Sequence, residues 1–468
     1  MWYNAGSSYS KVYVRQEKSP LANLNFRGLR LTPPKILSLG FVLLIAAGTL
    51  LLCLPAASTA GRISFIDALF MATSATCVTG LAVIDTGTQL TTFGQVVLLV
   101  LFQFGGLGFV TMATLITLVL NKRISLKERL LLQESMNQHS MQGIVLLIRR
   151  VLIYSLVIQL TGAIVLAVRF MADMPFARAL YYGLFHSISI FNNAGFDLFG
   201  DIHGPYSGLT RYVEDPIINF TSMVLIFLGG IGFIVLSDVL EFPKRKRLTL
   251  HSKVVLTTSA ALIVLGAALF FWLELHHTLK PLHAGGKVMA SFLQAITPRS
   301  GGVTTIEIPL LRESTQFLMI LLMFIGAAPG STGGGIKITT FAILIATVYA
   351  RVRGREDIIL FRNRISKDNV YRAITMTLLS LMLVVMATML LSVTESADFL
   401  SVLFEAVSAF GTSGITMGLT TELTTVGKVL IIVLMFVGRT GPLTLAYALK
   451  PKKNKELYRY PEGDITIG

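Results

Sequence analysis

The chain is poor in the residues that most soluble and enzymatic readings require. Only 14% of its 468 residues are charged, against 53% hydrophobic, and the mean hydropathy is +0.70, which excludes a soluble globular protein. Two cysteines, Cys53 and Cys77, supply neither a disulfide framework nor a thiolate metal site, and both read as small packing residues. The apolar runs offer almost no acid. Asp238 and Glu274 stand near the ends of two of them, which weighs against a carrier coupled through membrane-embedded carboxylates. Histidine is scattered as well, and an enzyme acting on lipid would need His, Asp or Glu clustered at depth. The isolated His186 reads instead as a packing residue of a short helix.

What the sequence does have is length of apolar run. Eight segments, at 36–54, 95–120, 151–168, 217–240, 254–273, 316–350, 373–393 and 426–449, approach or exceed the roughly 20 residues that an α-helix needs to cross about 30 Å of hydrocarbon. The first follows some 35 polar and basic residues without a small-residue cleavage site, so it reads as an anchor rather than a removed signal peptide. Of the 40 Lys and Arg, 29 fall in alternate loops and at the two ends, eight fall on the other side, and Arg299, Lys337 and Arg439 lie within membrane segments. The positive-inside rule then places both termini in the cytoplasm. This asymmetry accounts for most of the net charge of +15, so nucleic-acid binding is not invoked. The opposite face carries Asp67, Asp85, Asp173, Asp197, Asp201, Glu214, Asp215, Glu307 and Glu422, either an acidic vestibule that concentrates cations or ordinary solubilising charge.

One polar turn recurs four times within this apolar chain. TCVTG ends at Gly80, NNAG at Gly195, RSGG at Gly302 and GTSG at Gly414, at intervals of 115, 107 and 112 residues, each followed by a large apolar residue (Leu81, Phe196, Val303, Ile415). Any single copy could be an ordinary glycine turn between helices. Four copies in the same context form an internal repeat. Each turn follows a short apolar segment of roughly ten residues, at 65–75, 180–191, 288–296 and 400–410, which would rise only about 15 Å and must return as non-helical backbone. Such backbone is tolerated at membrane depth where it lines a watery cavity or is buried in protein. The expectation is an all-α polytopic membrane protein, four helix/pore-helix/helix units around one central pore, with eight spanning helices and four half-membrane pore helices. The units are expected at 36–125, 126–248, 249–365 and 366–450, flanked by cytoplasmic segments 1–35 and 451–468. The candidate ion-binding residues are Thr76, Val78, Thr79, Gly80, Asn192, Asn193, Ala194, Gly195, Ser300, Gly301, Gly302, Thr412, Ser413 and Gly414. Glycine admits φ > 0 and leaves the lumen free of Cβ, while these side chains and that of Thr297 add uncharged oxygen suited to a hard monovalent cation. The lack of a carboxylate ring argues against a calcium-type filter.

A second fourfold register lies in the segments that follow: FGGLGF from Phe104, LGGIGF from Leu228, IGAAPG from Ile325 and VGRTGP from Val437. Its leading glycines, Gly105, Gly229, Gly326 and Gly438, either permit close helix packing or break the helix beside the pore. The third copy continues through Pro329 into Gly330, Ser331, Thr332, Gly333, Gly334 and Gly335, which cannot remain regular helix and reads as a gate loop. It is no nucleotide P-loop, because Ile336 stands where lysine is required. In the fourth copy Arg439 occupies the register of Gly106, Gly230 and Ala327, either as an electrostatic barrier beneath the cation site or as a structural cation paired with an acid or carbonyls. Arg299, beside the third turn, is expected to point behind it and brace it.

These features together resemble the Trk/Ktr/HKT superfamily of potassium transporters, and most of all its bacterial KtrB-type membrane subunits, over nearly the whole chain from Thr32. The resemblance implies that Gly80, Gly195, Gly302 and Gly414 help coordinate K+, with Gly80 pointing to potassium because relatives with serine there favour sodium. It implies that residues 330–335 form the gate and that Arg439 contributes to the barrier. It also implies a homodimer in the bacterial plasma membrane, gated by a cytoplasmic RCK-type (KtrA-like) nucleotide-binding ring that meets the basic loops and tail. No nucleotide is expected on this chain itself, and no enzymatic activity. Uptake in such systems is often sodium-dependent, and Na+ is a possible second ion. Two departures stand out: Gly301 precedes Gly302, and Val303 replaces the aromatic often found next. The alternative function is a proton- or sodium-coupled secondary carrier.

Overall fold

A computed structural model describes residues 24–26, 29–31, 33–108, 111 and 144–442. The expected cytoplasmic tail, the body of the first cytoplasmic loop and nearly all of the N-terminal segment lie outside these residues. The described chain is helical apart from two short hairpins. In order, the helices that build the site are α1 (Pro33–Leu52), α2 (Phe65–Cys77), α3 (Thr92–Leu107), α4 (Ile144–Phe170), α5 (Phe176–Phe191), α6 (Pro216–Gly230), α7 (Phe233–Arg245), α8 (Leu250–Glu274), α9 (Ala284–Ile296), α10 (Glu313–Phe324), α11 (Ile338–Val352), α12 (Lys367–Thr394), α13 (Phe399–Gly411) and α14 (Thr425–Thr440).

Four of these, α1, α4, α8 and α12, are long and apolar enough to cross a bilayer unbroken. Each hands over to a short helix (α2, α5, α9, α13), and at the starts of α2 and α13 a polar side chain satisfies a first free N–H group. Ser64 accepts from Asp67 at the start of α2, and Asp398 accepts from Ser401 at the start of α13. These short helices run 13 or 16 residues, somewhat longer than the ten read from hydropathy, and their rise of about 20–24 Å still falls short of a full crossing.

The outgoing segments correct the expectation of eight continuous spans. Helix α3 stops at Leu107, α6 and its continuation Phe233–Lys244 meet at 103°, α10 ends at Phe324 and resumes as α11 only at Ile338, and α14 ends at Thr440. Three of the breaks share one backbone geometry, with Gly108, Gly232 and Gly441 at φ of 86°, 88° and 85° and ψ of 135°, 139° and 130°. A glycine with positive φ ends a helix without changing its hydropathy, so the apolar run continues past the break. Pro329 holds this register in the third repeat. Its ring fixes φ near −65°, so that repeat leaves the helix earlier and detours through residues 325–337, pinched together by a parallel bridge between Ile325 and Ile336. A Cβ at Gly232 would lie 2.7 Å from the Pro329 carbonyl oxygen. Gly232→Ala is therefore expected to lower the thermal midpoint in detergent by several degrees, since a β-carbon at such φ costs about 1–2 kcal/mol before any clash. An unchanged midpoint would show that the bend is not held there.

The helices close into a ring. Helix α3 packs on α5, α6 on α9, α10 on α13, and α14 returns to α2, so each outgoing helix touches the short helix of the next repeat and the fourth closes on the first. Lys428 of α14 seals that seam with a 2.7 Å ion pair to Asp67 of α2.

Candidate functional site

The four predicted glycines meet at the centre of this ring. A Cβ on Gly80 would lie 2.5 Å from the Ala194 carbonyl oxygen, one on Gly195 2.8 Å from Gly302 Cα, and one on Gly302 3.1 Å from the Ser413 carbonyl oxygen. One on Gly414 would strike the Thr79 carbonyl. Repeat 1 thus touches 2, 2 touches 3, 3 touches 4 and 4 touches 1. All four glycines have positive φ (95°, 71°, 67° and 78°), and all four are half-buried although the residues immediately before them are fully buried. They are where solvent reaches each strand.

How the strands arrive there follows from the ends of the short helices. Thr79 N donates to Ser74 O (2.8 Å), Ala194 N to Ser189 O (2.8 Å) and Ser413 N to Ser408 O (2.9 Å), the six-to-one closure that ends a helix on a left-handed residue. The third copy departs: Gly301 N reaches Thr297 O at 2.6 Å, one residue nearer, which is the local effect of its extra glycine. The hydroxyls counted as possible ion ligands mostly brace. Thr297 Oγ1 donates to Val303 O (2.6 Å) and accepts from Val303 N (3.1 Å), Ser300 Oγ donates to Gly411 O (3.0 Å), and Ser413 Oγ donates to Pro298 O (3.0 Å). Asn192 turns its amide to Gln103 Oε1 at 2.6 Å. Thr76 and Thr79 keep buried hydroxyls without partners. The carbonyl oxygens of Thr79, Ala194, Gly302 and Ser413, in turn, each stand against the ring glycine of a neighbouring repeat.

Beneath the ring lies the second register, and it does both things the sequence allowed. Gly105, Gly229 and Gly438 press against the last carbonyls of their own short helices, at Thr76, Phe191 and Phe410, so closely that a Cβ would collide. Each of those outgoing helices then breaks within three residues. Gly326 instead presses on the Gly334 carbonyl, because the third repeat folds its loop into that space.

That loop is held on every side. Thr332 N donates to Gly229 O (3.2 Å), Thr332 Oγ1 accepts from Asn193 Nδ2 (2.9 Å), Gly334 N donates to Thr412 Oγ1 (2.9 Å), and Phe233 N donates to Gly330 O (2.9 Å). Arg439 reaches across from α14. Its guanidinium donates to the carbonyls of Thr332, Gly105 and Gly106, the last at 3.2 Å, joining the loop to the C-terminal end of α3, where the helix dipole favours a cation. Lys337 adds a second cation, with Nζ donating to Gly333 O at 2.7 Å. The sequence placed Lys337 within a membrane segment but gave it no role; its signal was position, one residue past Ile336 at the end of the glycine run.

Other expected side chains sort clearly. Arg299 points behind its turn, as expected, and donates to Ser259 Oγ of α8 at 3.2 Å. His186 packs within α5, its Nδ1 2.7 Å from Tyr182 O and its ring centroid 4.5 Å from that of Phe199. Glu405 was overlooked. It is fully buried in α13 and accepts from Thr416 Oγ1 (2.7 Å) and Thr420 Oγ1, tying the returning strand of repeat 4 to its short helix. Most acids of the proposed vestibule are spent on structure: Asp173 and Asp215 on Arg169, Asp201 on Arg178, and Asp85 on Thr88 and the Tyr206 N–H. Glu214 accepts the His283 backbone N–H at 2.7 Å, which holds its carboxyl below the ordinary carboxylate range.

Comparison with known proteins identifies the family. The family model for TrkH cation transport proteins matches residues 35–457. The chain is 44% identical to the Ktr system potassium uptake protein B of Bacillus subtilis (strain 168) over 94% of its own length and 98% of that protein's. It is 39% identical to the potassium/sodium uptake protein NtpJ of Enterococcus hirae, again over 94% and 98% of the two chains. Among solved structures, the potassium transporter TrkH from Vibrio parahaemolyticus superposes with a TM-score of 0.69 at 20% identity, covering 89% of this chain and 84% of that one, and so shares its fold. A ring built from four repeats and a family match over most of the sequence lead to one assignment: this chain is a multi-pass membrane protein of the TrkH family of cation transport proteins.

Proposed function

We propose that this chain is a potassium-uptake subunit in which K+ moves passively down the axis of the four-glycine ring, past a gate formed by residues 330–335 and Arg439. The single observation that carries this reading is the ring itself, in which Gly80, Gly195, Gly302 and Gly414 bring four half-buried, positive-φ positions into mutual contact. Successive backbone carbonyls around such an axis replace the hydration shell of a monovalent cation. The loop and the two cations on it, Arg439 and Lys337, occupy the level directly beneath. The membrane potential supplies the drive, about 2.3 kcal/mol per charge per 100 mV.

The same proposal takes the four repeats at 36–125, 126–248, 249–365 and 366–450, both termini in the cytoplasm of a bacterial plasma membrane, and a homodimer regulated by a separate cytoplasmic nucleotide-binding ring. The relatives named as Ktr system proteins support the two-component arrangement, and NtpJ, named for potassium and sodium, supports a part for Na+. A carrier coupled to protons is the competing reading, and Glu405 is the buried acid it would call on. The two threonine hydroxyls that hold Glu405 tie it to the returning strand of its own repeat.

The test is K+ flux into proteoliposomes under an imposed potential. Flux that follows the potential without accompanying proton movement is expected, and Gly80→Ser, whose β-carbon must displace the Ala194 carbonyl, is expected to lower the K+/Na+ flux ratio about tenfold. A fixed proton-to-potassium ratio would establish the carrier instead.

A further inference from the structure

The residues two positions before the ring glycines share a backbone state that their side chains oppose. Val78, Asn193, Ser300 and Thr412 have φ of 58°, 59°, 75° and 48°. Asparagine tolerates this left-handed region, but β-branched valine and threonine are rare in it, so the surroundings must hold them there. What holds them is the layer below. Val78 lies against α3, where a Cβ on Gly105 would come within 3.0 Å of its Cγ2. The other three meet the third-repeat loop one residue at a time. Asn193 Nδ2 donates to Thr332 Oγ1 at 2.9 Å, a Cβ on Gly333 would lie 2.8 Å from Ser300 Oγ, and Gly334 N donates to Thr412 Oγ1 at 2.9 Å. Three consecutive loop residues therefore each engage one strand, from repeats 2, 3 and 4.

Resting on the proposed function above, we propose that Asn193, Ser300 and Thr412 are selectivity-determining positioning residues: the seated loop holds three of the four strands in the geometry that fits K+, and K+ in the ring favours the seated loop. Release of the loop removes the Thr332 and Gly334 partners together and frees three held strands to relax. By linkage, an ion that requires the ordered strands must stabilise the loop by the same factor by which the loop stabilises the ion. Na+, which fits that geometry less well, must stabilise it less.

The experiment uses the full chain in proteoliposomes with Ser331→Cys, a half-buried loop position, and follows modification by a charged methanethiosulfonate reagent in K+ and in Na+. The chain without this substitution reports any labelling of Cys53 and Cys77. Modification is expected to be about fivefold slower in K+ than in Na+, the factor that one net hydrogen bond supplies. Thr412→Val, which removes the acceptor and keeps the shape, is expected to erase that ratio and to lower the K+/Na+ flux ratio by a similar factor. Thr332→Val must reproduce both effects from the loop side, so that a folding defect in one variant does not decide the matter. Equal modification in the two ions with K+ flux intact overturns the coupling alone, as does a wild-type ratio in both variants. Absence of K+ flux in the unsubstituted chain overturns the transport reading on which the coupling rests.

Discussion

Replacing Gly195 by alanine is expected to reduce potassium flux on the order of 100-fold while leaving the protein monodisperse in detergent. Two separate penalties fall on the same atom. At φ of 71° a β-carbon costs about 1–2 kcal/mol by itself, and here it would also stand 2.8 Å from Gly302 Cα and 3.1 Å from the Gly302 carbonyl carbon and oxygen. Neither neighbour is the end of a flexible side chain. Repeat 3 has to move its backbone, and Gly302 is itself packed against Ser413 O of repeat 4, so the displacement passes around the ring. A shift of about 1 Å at a site that depends on positioned groups is worth about two orders of magnitude in rate. The measurement is K+ uptake into proteoliposomes at matched reconstitution. Flux within threefold of the unsubstituted chain would mean that ions do not pass between these strands. Equal loss of K+ and Na+ flux would point to blockage, whereas selective loss of K+ flux would point to altered coordination.

Arg439→Ala is expected to act in the opposite direction, raising maximal K+ flux by 10-fold or more. The guanidinium satisfies carbonyls on two separate elements, Thr332 on the loop and Gly105 and Gly106 at the end of α3. Hydrogen bonds from a charged donor contribute about 1.5–3 kcal/mol each, so losing even one shifts the seated loop towards release by about tenfold or more. The charge that opposes a descending cation disappears in the same step. Arg439→Lys separates the two contributions, since it keeps the charge but loses the planar fork that spans two elements. An intermediate flux in that variant is expected if the residue is a latch; a flux equal to the unsubstituted chain would make it a charge barrier only. Reduced flux with early elution or aggregation in Arg439→Ala would assign the residue to assembly and remove it from the gate.

Much of this site was legible along the chain because its signals are local and repeated. A glycine that must adopt positive φ stays a glycine in all four copies, and the interval between copies is the length of one structural unit. Arg439 was legible because a cation is conspicuous in an apolar run. Glu405 escaped notice for the converse reason: it sits in a short helix that was read for its turn, and its partners, Thr416 and Thr420, lie beyond the ring strand, where only the return of the chain brings them close. The acids of the less basic side were equally ambiguous, since Asp215 shows its use only once Arg169 is seen 2.5 Å away.

The sequence by itself determined the class of the protein, the number of its repeats, the four glycines at its centre and the unequal third and fourth copies, because each of these follows from composition or from the conformational range of single residues. The tertiary structure alone decided where the outgoing helices stop, in what order the repeats touch, and that the predicted oxygen-bearing side chains mostly brace neighbouring backbone. Hydropathy is blind to the sign of φ, so Gly108, Gly232 and Gly441 leave no mark on an apolar run although each ends a helix. Contact between residues more than a hundred positions apart, such as Asn193 with Thr332 or Arg439 with Gly105, is a property of ring closure, and no local pattern encodes it.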